Sequence, residues 1–180
     1  MAPLGLEQNV HVPSNFLAKI HPTPDLSILY YGYICKVKKI IFNRLMKEAP
    51  EQEELIQWLF RCAQMYGVSI NKLMYTFLSK NEMAELNQTF LHHTSDTDIV
   101  TFSYHDNCSV DAEVFISSEM CIENAHSFSQ TIENELLRLI SHGFLHSIGY
   151  NDKEEKEKAQ MSKEEDRCIK MFHVKQQSNV

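Results

Sequence analysis

The apolar positions of this chain recur with two periods. Between residues 131 and 148 they return every three or four places, at Leu136, Leu137, Leu139, Ile140, Phe144, Leu145 and Ile148. That spacing predicts a helix that is apolar on most sides and therefore buried. Ser127-Phe128-Ser129-Gln130 offers capping hydroxyls on the approach to it. The same period predicts a helix over 51–66, entered after Pro50 and closed by Gly67, with Leu55, Leu59, Cys62 and Met65 inward and Trp58 as a core anchor. Shorter apolar runs at 37–42, 72–78, 98–104 and 112–117 read as strands. Ser79-Lys80-Asn81-Glu82 spells a capping box, so a short helix starts there and runs to about Leu91. Residues 153–172 are dense in Lys and Glu, with Met161, Cys168 and Phe172 on one face. They predict a terminal helix with a narrow apolar stripe and a solvated face. The expected fold class is α+β: one domain over 37–180, with a four-stranded mixed sheet packed by helices and the 131–148 helix at its centre. Residues 1–36 are expected to be an N-terminal extension. Prolines at 3, 13, 22 and 24 break any long helix there, and the apolar run 27–35 reads either as packed on the domain or as a poorly ordered leader.

The polar exceptions on the buried helix carry the candidate chemistry. Glu135, His142 and His146 are spaced seven and four apart, so they share one stripe. Gly149 stands where a helix often ends in a left-handed residue, and Asp152 follows on the returning chain. Two imidazoles on one face and a carboxylate from the return make a three-ligand set with one position open, as a catalytic zinc requires. The His pair alone is a weak signal, because two buried histidines bonded to backbone carbonyls would show the same spacing. Glu135 is a candidate to orient one imidazole. Arg138, one turn before His142, is a candidate catalytic cation, with a surface Arg–Glu pair as the plainer reading.

Length, charge and cysteines narrow the field. At 180 residues the chain is long enough for one domain with a real core. Its five cysteines are widely spaced and form no C-x-x-C, and the start of the chain has no signal-type segment, so reduced thiols in a cytoplasmic setting are expected. The longest apolar run is too short to span a bilayer, and no membrane partner is expected. The formal charge of −7 argues against tight free-standing nucleic-acid binding, and no DNA partner is expected.

The run His142-Gly143-Phe144-Leu145-His146-Ser147-Ile148-Gly149-Tyr150-Asn151-Asp152 resembles the H-G-x-L-H-x-x-G-Y-D-H signature of the YbeY family, bacterial endoribonucleases of rRNA maturation. Asp152 takes the place of the family's third histidine, and a carboxylate oxygen also binds zinc, at about 2.0–2.2 Å. Leu86-Asn87 and Thr97 to Phe102 resemble a second family block, in which the family's arginine is Leu91 here and His92 and His93 follow it. Ala112 to Ser117 resembles a third, with Ala112 and Glu113 replacing Gly and Asp, and Met161 fits a trailing E-x-x-x-M element. The resemblance implies one zinc ion per chain, held by His142, His146 and Asp152, with the two histidines as catalytic residues. Arg138 joins them as a catalytic candidate from its place on the helix, where it would supply the positive charge lost at Leu91. The resemblance also implies an endoribonuclease specific for single strands, acting in 16S rRNA 3′-end maturation and ribosome quality control. The implied partners are rRNA and the small ribosomal subunit. A non-catalytic ribosome assembly factor with structural zinc is the alternative. A zinc metallopeptidase is weaker still, because the H-E-x-x-H glutamate is Gly143 here.

Overall fold

Alternating apolar residues on four strands build a sheet with two covered faces. The computed structural model describes residues 6–7, 40–90, 97–104 and 109–177. Their elements are β1 (Leu6–Glu7), β2 (Ile40–Asn43), α1 (Gln52–Tyr66), β3 (Ser69–Leu78), α2 (Lys80–Phe90), β4 (Ile99–Ser103), β5 (Ser109–Ser117), α3 (Ser118–Ser127), α4 (Ile132–Ser147) and α5 (Glu155–Gln177). The order across the sheet is β1-β4-β5-β3-β2. Strands β2, β3 and β5 run parallel, and β4 is antiparallel to β5. The expected mixed sheet of four strands is thus β2 to β5, with the two residues of β1 pairing Val100 and Thr101 on its outer edge. The rest of the expected extension, 1–36, lies outside the described residues.

Strand alternation sorts the apolar side chains. Leu73, Tyr75 and Phe77 of β3 and Ala112, Val114 and Ile116 of β5 join the large core, under α1, α4 and α5. Leu78, Val100, Phe102 and Phe115 face the other way, onto Met83, Leu86 and Phe90 of α2. Helix α2 starts as its sequence predicts. The Ser79 N–H donates to Glu82 Oε2 at 2.7 Å, and the Glu82 N–H returns a bond to Ser79 Oγ at 3.3 Å.

Three contacts fix the helices that matter for the site. Tyr75 on β3 donates its hydroxyl to the Ile140 carbonyl at 2.9 Å, tying α4 to the sheet. A Cβ built on Gly143 would meet Val114 Cγ1 at 2.6 Å and Ile99 Cδ1 at 3.2 Å, so α4 lies closer to β5 than any other residue allows. Trp58 is fully buried on α1 and donates Nε1–H to the Cys168 carbonyl at 2.8 Å, with Phe172 edge-on at 5.5 Å. Trp58 thereby holds α5 against α1. The narrow stripe expected on the terminal helix is present, as Met161, Cys168 and Phe172 are all in the large core. Cys62, Cys121 and Cys168 are free and buried.

Two local expectations need correcting. Helix α3, Ser118–Ser127, follows β5 without a break and was not anticipated; Ser117, the last residue of the strand, caps it by accepting from the Met120 N–H at 3.3 Å. Consequently the residues from Ser127 to Gln130 end α3 and do not cap α4. Thr131 does, accepting from the Asn134 N–H at 3.1 Å. No helix among the described residues is long and apolar enough to cross a membrane.

Candidate metal centre

Helix α4 ends as a Schellman motif, and that ending builds half of the site. Gly149 takes φ +95°, its N–H bonds the His146 carbonyl at 3.0 Å, and the Tyr150 N–H bonds the Leu145 carbonyl at 3.0 Å. The chain turns back, and Asp152 comes to lie beside the two histidines. His142, His146 and Asp152 are all buried, and one ligand atom from each lies within 4.8 Å of the others. His142 Nε2 and His146 Nε2 are 2.9 Å apart, with the rings edge-on at 86°. Asp152 Oδ2 lies 3.8 Å from His142 Nε2, and Oδ1 lies 3.8 Å from His146 Nε2.

The opposite ring nitrogens bear on what this gap could hold. His142 Nδ1 lies 2.6 Å from Glu165 Oε1, and His146 Nδ1 lies 2.8 Å from the Tyr150 carbonyl. A carboxylate and a backbone carbonyl both accept, so these contacts favour a proton on each Nδ1, and a ring with its one proton there turns an Nε2 lone pair inward. Two lone pairs facing at 2.9 Å repel unless a cation lies between them. Asp152 Oδ1 is buried there with no hydrogen-bond partner. An unpaired buried carboxylate oxygen beside two inward lone pairs fits a divalent ion, and N, N, O donors suit zinc.

Around this tripod lies a second set of charges. Arg138 donates to Glu135 at 2.9 Å from Nε and at 2.7 Å from Nη2. It also reaches Asp98 Oδ2 at 3.4 Å and stands 4.0 Å from Glu165 Oε1. Burial alone would lower the arginine pKa, but the carboxylates of Glu135, Glu165 and Asp98 outweigh it and hold the guanidinium protonated. Burial pushes the Asp98 carboxyl above its usual range, against the pull of Arg138. Glu135 therefore does not orient an imidazole, as its spacing suggested; it forks onto Arg138. The residue that meets His142 is Glu165, on another element. A readable sign existed, since Glu165 interrupts the apolar stripe of Met161, Cys168 and Phe172 at helical spacing. Leu91, His92 and His93 lie outside the described residues.

The family model for endoribonuclease YbeY matches residues 40–173. The chain belongs to that family. The YbeY endoribonuclease of Flavobacterium psychrophilum is 35% identical over 129 residues, covering 72% of this chain and 92% of its own length. That of Bacteroides thetaiotaomicron is 33% identical over 121 residues, covering 67% of this chain and 88% of its own. A solution structure of a Thermotoga maritima protein aligns with TM-score 0.56 and 25% identity, over 78% of this chain and 93% of that one. The YbeY match spans β2 to α5, so it contains all three tripod residues and also Glu165, Arg138 and Asp98.

Proposed function

We propose that this chain is a zinc-dependent endoribonuclease that cleaves single-stranded RNA, acting in the cytoplasm on the 3′ end of 16S rRNA and in ribosome quality control. Its substrate is rRNA, and its partner is the ribosome or its small subunit. The hydrolase domain is taken as 37–180, with 1–36 as an extension. The observation that carries the reading is the pair of inward Nε2 atoms, 2.9 Å apart, beside the unpartnered Asp152 Oδ1. The relatives named endoribonuclease supply the substrate class.

Each residue has a task that follows from its placement. His142, His146 and Asp152 would hold the ion. When bound, zinc supplies a Lewis acid for a phosphoryl oxygen and lowers the pKa of a water molecule to about 7. Two neutral imidazoles and one carboxylate leave one positive charge of a divalent ion uncompensated, available to a backbone phosphate. That surplus matters here, because Asp98, Glu135 and Glu165 crowd the site against the single guanidinium of Arg138. Arg138 keeps a proton-bearing cation one turn before His142, with about a quarter of its side chain (24%) open to solvent. Its proposed catalytic part is to offset phosphate charge at the rim of the site.

The peptidase alternative finds no support in the geometry. A glutamate at position 143 would have to leave α4 where a Cβ already meets Val114, and Gly143 offers no proton acceptor. The assembly-factor reading draws on the net charge of −7, which disfavours free-standing RNA binding. Two measurements decide between them. Elemental analysis of the purified protein should find one zinc per chain, and none in His146→Ala. A single-stranded RNA oligonucleotide should be cut by the zinc-loaded wild type and left whole by His142→Ala. Zinc without RNA cleavage would favour the assembly factor, and no zinc in the wild type would remove the centre altogether.

A further inference from the structure

The two histidines are oriented by different means. His146 sits in the last turn of α4, where the Schellman ending itself delivers an acceptor, the Tyr150 carbonyl, to Nδ1. His142 lies one turn earlier, in the helix interior. The carbonyls of its own turns are taken by the helical ladder, so an acceptor for its Nδ1 must come from elsewhere. It comes from 23 residues away in sequence, as Glu165 Oε1 at 2.6 Å.

We propose that Glu165 is a positioning residue for His142, delivered to the site by the docking of the terminal helix. This rests on the metal reading above. Glu165 is buried, with only 7% of its side chain exposed, and a carboxylate in that place requires partners. It has the His142 N–H, and it has the Arg138 guanidinium at 4.0 Å. Its position is fixed from both sides along α5. Glu164 accepts from the Tyr66 hydroxyl at 2.6 Å, and the Cys168 carbonyl accepts from Trp58 at 2.8 Å. Helix α1 thus sets the height and rotation of α5, and α5 sets the ring of His142. A charged acceptor also holds the ring more firmly than a neutral carbonyl does. Loss of such an outer partner typically costs about 10–100-fold in metal affinity.

The test uses the full chain and zinc itself. In metal-free, nitrogen-15-labelled wild type at mildly alkaline pH, the ring-nitrogen spectrum should show His142 with its proton on Nδ1. Glu165→Leu keeps most of the volume and removes the acceptor. It should bind zinc about 10–100-fold more weakly, in competition with a chromophoric chelator. The His142 tautomer should become mixed in that variant, with His146 unchanged. Glu165→Gln keeps an acceptor oxygen and should recover most of the affinity and the tautomer. A bare Nδ1 on His142 in the wild type would overturn the proposal, and so would wild-type affinity in Glu165→Leu or equal loss in both variants. Disturbance of both rings alike would also overturn it, as that is the mark of general loosening. Where Glu165→Leu does not fold, the wild-type tautomer decides. A wild type that binds no zinc refutes the metal reading, while the tautomer still tests Glu165.

Discussion

Position 143 illustrates how one residue serves packing and chemistry together. Because it has no side chain, α4 approaches β5 until a Cβ would stand 2.6 Å from Val114 Cγ1. Valine is β-branched and stiff at χ1, so it cannot swing aside cheaply. Gly143→Ala should therefore destabilise the fold by about 1–3 kcal/mol, read as a lower urea midpoint. Val114→Ala should recover part of the loss in the double variant, because the two sites touch. A Gly143→Ala midpoint at or above wild type would show that the sheet yields there. At this scale the tripod was legible, since His142, His146 and Asp152 fall within eleven consecutive residues and one helix geometry relates them. Glu165 showed only as a break in the apolar stripe of the terminal helix, with no sign of what it meets, and the Arg138–Asp98 pair, 40 residues apart, did not show at all. Local spacing carries no information about which elements meet.

Elements were legible where a stripe or a cap announced them. The strand β5 and helix α3 show the limit. No breaker separates Ser117 from Ser118, and α3 buries only Cys121 and Ala125, too thin a stripe to stand out. The capping box of α2 was the opposite case, written in four residues and present as written. Its glutamate also forks onto Arg44, at 2.8 and 3.0 Å. That pairing, together with the Ser79 bonds, holds the Glu82 pKa down at about 2, below its ordinary 4.5. The folded state therefore favours the ionised form. The resulting stability is present above about pH 4.5 and is lost as pH falls towards 2. Glu82→Gln should cost about 1 kcal/mol or less at pH 6, since Glu82 is a third exposed and Arg44 more so. The difference from wild type should shrink by pH 3 in urea titrations. A gap that stays constant between the two pH values would show that the cap, and not the charge, accounts for it.

For the whole molecule, the centre is a place where folding gathers donor groups that repel one another in the absence of a cation. The sheet fixes α4, the Schellman turn fixes Asp152, and α5 fixes His142, so the tripod forms only when all of them are in place. The unfolded chain has no such site. Zinc should then bind the folded state selectively and stabilise it by mass action, by about 2.7 kcal/mol at a free concentration 100 times its Kd. In a chain of 180 residues that corresponds to a Tm about 5–10 °C above the value in a chelator. Asp152→Ala should abolish most of this shift. It should leave the metal-free Tm at or above wild type, because it removes a buried carboxylate whose Oδ1 has no hydrogen-bond partner. A full zinc shift in Asp152→Ala would mean that the ion is held by the imidazoles with some other third donor. A metal-free Tm well below wild type would mean that Asp152 already earns its place through a contact with the histidines. The first result would dissolve the tripod and the second would not, so differential scanning calorimetry on these two proteins separates a metal site from a polar cluster.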